Sequence, residues 1–211
     1  MFTDRADAGR RLGERLSHLK GQDLVVLGLP RGGVPVAFQV AQTLDAPLDV
    51  IVVRKLGLPH QPELAMGAIG EDDVRVLDFD VLRRGRVSDA ELEQVHEQER
   101  SQLQSTLARL RSGRPRIDLT ARTAVVVDDG LATGSTARAA CLVARRLGAT
   151  RIVLAVPVAP AGVLSGISEA DDAVCVCEPT HFVAVGQHYR DFSPTSDVEV
   201  IQLLNAPSSG Q

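Results

Sequence analysis

The segment Val125-Val126-Val127-Asp128-Asp129-Gly130-Leu131-Ala132-Thr133-Gly134-Ser135-Thr136 constrains the fold more than any other. Three consecutive β-branched valines suit a strand buried on both faces, and the run ends on two adjacent carboxylates. The Gly/Thr/Ser turn that follows opens an Ala-rich helix from about Ser135 to Leu147. A helix N-terminus offers unpaired N–H groups and a partial positive charge, and Gly134 lets an anion approach the backbone closely. Residues Leu131, Ala132, Thr133, Gly134, Ser135 and Thr136 therefore read as a phosphate cradle, with Thr133, Ser135 and Thr136 adding hydroxyls. No lysine follows the turn as in the P-loop of nucleotide triphosphatases, and there is no dinucleotide-type glycine fingerprint. Paired acids at the carboxyl end of a strand suit sugar hydroxyls or a hydrated magnesium ion, so the ligand implied is a sugar phosphate.

The rest of the chain builds a sheet around this segment. Leu12, Leu16 and Leu19 recur at helical spacing behind Thr3-Asp4, predicting an amphipathic helix over residues 4 to 19. Asp23 to Leu29 reads as a strand, Val34 to Thr43 as a helix and Leu48 to Val53 as a strand. Further strands are expected at Val74 to Leu77, Thr123 to Val127, Arg151 to Val156 and Ala173 to Val176. The fold class is α/β, a doubly wound, mainly parallel sheet with a small hood and right-handed crossovers. The capping box Ser88-x-x-Glu91 opens a long helix to about Arg111, with Leu92, Val95, Leu103, Leu107 and Leu110 on one stripe, inside a helical insertion at about 80–118. Glu99 shares that stripe, where it either bridges a gap, faces solvent or enters the site. Arg83-Arg84-Gly85-Arg86 reads as a solvated turn, and Ala206 to Gln211 as a disordered tail.

With 211 residues and 44% hydrophobic content the chain is expected to form one domain, 1–211. A net charge of −4 and no basic recognition face disfavour nucleic acid as a partner. Three cysteines without a paired-ligand spacing argue against a disulfide framework and a structural zinc site, and Cys175 and Cys177 read as buried core thiols on one strand face. No apolar run reaches the roughly 20 residues that span a bilayer, so the reading is cytoplasmic, with no membrane partner.

VVVDDGLATGST resembles the phosphoribosyl pyrophosphate (PRPP) signature of the type I phosphoribosyltransferases. LPRGGVPVA, VRKLGLPHQPELAMGAIGE and HFVAVGQHYRDFS have counterparts in an uncharacterised branch of that family, so the resemblance covers nearly the whole chain. It implies transfer of a phosphoribosyl group from PRPP to an unidentified nitrogenous acceptor; the alternative is a non-catalytic PRPP-sensing or nucleotide-sensing protein. Asp128 and Asp129 would contact ribose hydroxyls or the water of Mg2+, the implied cofactor, with no metal ligand placed directly. Leu131 to Thr136 would hold the 5′-phosphate. Arg31, Gly32 and Gly33 would form the pyrophosphate loop, where an unusual cis peptide is expected near Arg31-Gly32, and Arg54 and Lys55 would touch pyrophosphate. Leu56 to Gly70 would be a flexible closing loop carrying Glu63, either a general base or a solvent-exposed carboxylate. The aspartate that hypoxanthine-type enzymes carry before Thr-Gly is here Ala132, which removes a base-recognition clue. The acceptor hood is left to either the helical insertion or His181 to Phe192, and the family allows a homodimer.

Overall fold

A computed structural model of the chain describes residues 1–206. Asp4 caps α1 (Arg5–Arg15) by accepting the Asp7 amide, and a short 3-10 turn, Ser17–Leu19, completes the predicted amphipathic segment. There follow β1 (Leu24–Gly28), α2 (Gly33–Leu44), β2 (Leu48–Val50), β3 (Val53–Leu58), β4 (Gln61–Gly70) and β5 (Arg75–Leu77). The insertion contributes α3 (Phe79–Gly85) and α4 (Asp89–Arg111), then come β6 (Thr123–Val127), α5 (Ser135–Arg146), β7 (Arg151–Val158), β8 (Asp172–Cys177) and α6 (Asp197–Asn205).

Five strands form one parallel sheet in the order β2-β1-β6-β7-β8. Their side chains alternate between two cores: Val26, Val125, Val127 and Val153 join α2 and α4 residues on one face, while Val25, Leu27, Val126 and Leu154 meet α5 on the other. This confirms the α/β class. The order reverses between β1 and β6, so the chain winds outward in both directions from that pair. Loops leaving their carboxyl ends diverge there and open a crevice, the usual ligand position in such sheets.

Four expectations need correction. The segment Leu56 to Gly70 is an antiparallel hairpin, with Lys55 opposite Ala68 and irregular register around Gly57. β5, expected in the main sheet, instead pairs antiparallel with β4 in a separate sheet ordered β3-β4-β5. The arginine cluster Arg83-Arg84-Gly85-Arg86 ends a helix rather than forming a turn, because Asp78 caps α3 by accepting the Asp80 and Val81 amides at 3.0 Å and Arg86 closes it in a left-handed conformation. Cys177 is exposed and Cys175 half-buried, since β8 is an edge strand; only Cys141 is fully buried. Burial pushes the Cys141 thiol up to about 12 and the Cys175 thiol up to about 11, which keeps both protonated.

The capping box of α4 is present, Ser88 N–H donating to Glu91 Oε2 at 2.9 Å. At the other end Arg111 reaches across to Glu71, 2.7 Å, and Asp49, 3.0 Å, pinning the insertion to β2 and the end of β4. Of the expected tail only Ala206 belongs to the described residues. Among those residues no helix is long and apolar enough to cross a membrane.

Candidate active site

The site grows from β6. Asp128 and Asp129 leave its carboxyl end beside the loop that leaves β1, and Leu29 N–H donates to Val127 C=O at 2.9 Å, locking the two exits together. Gly32 lies so close that a Cβ there would fall 2.0 Å from Asp129 Oδ2, and one on Gly33 would fall 2.9 Å from Asp128 Cα. Both glycines are thus required by the contact between the two loops. The non-proline cis peptide is present at Pro30-Arg31, one bond earlier than expected.

Asp129 is not free. Arg5, the first residue of α1, donates from Nε to Asp129 Oδ2 at 2.9 Å, with Nη2 also 2.9 Å away. The same guanidinium donates to the Ser193 carbonyl at 2.7 Å and lies 4.0 Å from the centroid of the Phe192 ring. From the other side Tyr189 Oη donates to the Asp129 carbonyl at 2.5 Å. Arg5 carried no motif that pointed to the site, since its link to Asp129 spans 124 residues of sequence, whereas Tyr189 lies within the hood candidate His181 to Phe192. The C-terminal stretch, one of two hood candidates, therefore supports the acid pair, with Tyr189 buried against Phe2.

Burial, and then the neighbouring Asp129 carboxylate, push Asp128 up to about 8, against the pull of the Asp129 amide that donates to it at 2.9 Å. Burial also raises Asp129, partly offset by Arg5. Asp128 in the fold therefore holds a proton that the unfolded chain releases in the ordinary carboxylate range. The folded state binds more protons between those two values, so the unliganded protein is expected to lose stability as pH rises from about 4 toward 8. Thermal melts across that range check this, and Asp128→Asn should flatten the slope; an unchanged slope would refute the assignment.

The cradle has an open helix end: Gly134 caps α5 at φ 75° and no side chain caps the first turn. The positive φ suits glycine. Thr133 Oγ1 and Ser135 Oγ lie 3.3 Å apart across the turn. Leu131 is buried and its amide donates to the Val158 carbonyl at 2.9 Å, so it anchors the turn and offers no free N–H. Ala132 to Thr136 remain as the cradle.

Alternation along β3 separates Arg54 from Lys55. Arg54 Nε donates to Glu99 Oε2 at 2.8 Å, and its guanidinium also meets Gln102, so Glu99 sits at the site's edge holding Arg54. Lys55 Nζ faces Glu63, 3.4 Å from its carbonyl oxygen and 3.9 Å from Oε2, while the Glu63 carboxylate is open to solvent. Arg31 pairs with Asp197 on α6, Nη1 to Oδ1 3.4 Å. Even so, a cleft of about 620 Å³ brings Pro30, Arg54, Lys55, Glu63, Glu99 and Thr136 to one surface. Val95 and Gln98 complete its α4 wall, so the helical insertion is the hood candidate that lines the cleft.

Against known families, residues 4–192 match the phosphoribosyl transferase domain. The chain belongs to that family. Within this family, a Mycobacterium tuberculosis protein named "Putative phosphoribosyl transferase" is 56% identical over 206 residues, covering 97% of this chain and 46% of its own length. The chain thus spans about half the length of that curated relative. TT1426 from Thermus thermophilus superimposes with a TM-score of 0.90 at 41% identity, covering 97% of each chain. A hypoxanthine-guanine phosphoribosyltransferase of Bacillus anthracis shares the fold at a TM-score of 0.50 and 10% identity, over 89% of this chain and 88% of that one.

Proposed function

We propose that this phosphoribosyl transferase domain moves a phosphoribosyl group from PRPP to a nitrogenous acceptor and releases pyrophosphate. The observation that carries the reading is the juncture at the β1/β6 switch point, where a glycine loop is fused to an acid pair beside the uncapped N-terminus of α5. In the reaction the acceptor nitrogen bonds to the anomeric carbon as the carbon–oxygen bond to pyrophosphate breaks. Positive charge grows on the ring and negative charge on the leaving group, so placed charges do most of the work. Ala132 to Thr136 would hold the 5′-phosphate, remote binding that aligns the reacting carbon. Lys55, and Arg31 once released from Asp197, would neutralise the leaving diphosphate. Asp128 and Asp129 would accept the ribose hydroxyls. Glu63, across the hairpin from Lys55, would take the acceptor's proton where one has to leave.

Two neighbouring acids, Asp129 opposed by a single guanidinium and Asp128 able to release its proton as a cation approaches, suit a hydrated Mg2+ as well as hydroxyls. When bound, the ion would add charge neutralisation of the diphosphate.

Pyrophosphate release from Mg-PRPP, screened against a panel of bases and amines, tests the activity. One observation favours a second reading, a PRPP sensor: Arg5 already satisfies Asp129. A sensor would bind Mg-PRPP in calorimetry and release no pyrophosphate with any acceptor.

Lys55→Ala is expected to weaken Mg-PRPP binding about tenfold to a hundredfold, the scale of one charged contact. Binding of a 5′-nucleoside monophosphate, which lacks the diphosphate, should barely change. Equal losses for both ligands would place Lys55 outside the pyrophosphate subsite.

A further inference from the structure

The chain from Ser193 to Asp197 runs between two groups that the proposed reaction uses. At its start the Ser193 carbonyl accepts from Arg5 Nη1 at 2.7 Å, and the same guanidinium holds Asp129. At its end Asp197, the first residue of α6, meets Arg31 of the glycine loop after β1, Oδ1 to Nη1 3.4 Å. The other carboxylate oxygen, Oδ2, lies 3.3 Å from Nε of Arg109 in the last turn of α4. One carboxylate is thus shared between that loop and the end of the helical insertion.

The helix has other supports: Ser196 caps α6 by accepting the Glu199 amide at 3.1 Å, and Val200 and Leu204 are buried in the core. Both ion pairs of Asp197 are long and their cations open to solvent, Arg31 56% exposed and Arg109 59%, so each is a weak, screened contact. A diphosphate is a stronger partner for a guanidinium, because it carries several charges and accepts two parallel N–H donors from one fork. The cleft that brings Lys55 and Thr136 together is lined by Pro30 and not by Arg31, so Arg31 is a cation held next to the cleft by another anion.

We propose that Asp197 is a positioning residue that competes with the diphosphate of PRPP for Arg31 and so sets the affinity of the site. In the unliganded protein the Asp197 carboxylate holds the guanidinium; when the diphosphate arrives, Arg31 exchanges one anion for the other. Arg109 stays with Asp197 and compensates the charge that Arg31 leaves behind. The inference rests on the reading of Arg31 as a ligand of the diphosphate, and it adds a residue outside the cleft that tunes that contact.

Calorimetry on the full chain tests this, with Mg-PRPP as one ligand and ribose 5-phosphate, which lacks the diphosphate, as the other. Asp197→Asn should tighten Mg-PRPP binding about threefold to fivefold, the range one exposed ion pair allows, and leave ribose 5-phosphate unchanged. Arg109→Gln should act in the opposite sense, weakening Mg-PRPP about twofold or more, because the whole carboxylate then falls to Arg31. A substitution that merely loosened α6 or α4 would weaken binding in both variants. In an Arg31→Ala background neither change should have an effect, which separates competition for Arg31 from a general change in the field. Unchanged or weaker Mg-PRPP binding in Asp197→Asn, an equal gain with ribose 5-phosphate, or a gain that persists without Arg31 would each overturn the proposal. A wild type that binds ribose 5-phosphate but not Mg-PRPP would refute the diphosphate subsite itself, and this inference with it.

Discussion

Asp128→Asn combined with Asp129→Asn is expected to abolish PRPP turnover, by at least about a thousandfold, while the protein stays folded. Asparagine keeps the volume of each side chain, so the close seat of Gly32 against residue 129 survives. The Asp129 charge and the ionisable Asp128 carboxyl do not survive, and with them goes the acceptor strength that would distinguish ribose hydroxyls from water. Replacing two buried acids by amides also removes groups whose ionisation burial penalises. Arg5 keeps the Ser193 carbonyl and the Phe192 ring. Calorimetry with Mg-PRPP and a thermal melt together check this. Wild-type affinity in the double variant would show that the acid pair is not the sugar site.

Arg111→Met is expected to destabilise the protein by about 3–5 kcal/mol, the cost of leaving a buried charge without its partner. Arg111 sits between two buried acids: Asp49 is 0% exposed and Glu71 6%. Burial raises the Glu71 carboxyl, with Arg111 pulling it down. The guanidinium donates from Nε and Nη2 to Glu71, at 2.7 and 2.8 Å, and from Nη1 to Asp49 at 3.0 Å. Asp49 retains the amides of Val50 and Ile117, both at 2.8 Å, so Glu71 becomes the stranded group. Adding Glu71→Leu to Arg111→Met should recover much of the loss. Urea unfolding measures both variants, and a loss below 1 kcal/mol for Arg111→Met would mean that water enters and solvates Glu71.

What was legible in the chain follows from how each element is stabilised. The parallel strands announced themselves because they are buried on both faces and so read as continuous apolar runs, as in Thr123 to Val127. The helices with capping residues were equally plain, and α6 could have been read the same way: Ser196 accepts the Glu199 amide ahead of Val200, Leu203 and Leu204. The hairpin was hidden for a specific reason. Its glycines and prolines read as loop punctuation, yet Gly67 is there because a Cβ would lie 2.4 Å from the Val76 carbonyl of the neighbouring strand. In the site, local chemistry was visible and distant chemistry was not. Asp128, Asp129 and the Gly134 turn are contiguous, so spacing exposes them. Arg54 lines the cleft as expected, but its partner there, Glu99, stands on a helix that no local pattern aims at β3.

The acid pair is held by segments far from it on either side in sequence. Phe2 pairs with Tyr189 in an isolated bridge, Arg190 N–H donates to the Phe2 carbonyl at 2.9 Å, and Arg5 reaches Asp129 between them. During synthesis Arg5 is made before Asp129, and Tyr189 and Phe192 after it. The strands around the pair can assemble first, but its surroundings are complete only when the last of these segments docks on the first. Loop-closure entropy makes such distant contacts slow to form. Native-state hydrogen exchange should therefore find this closure opening at lower free energy than β6, so that the sheet outlasts the pocket whenever the protein breathes.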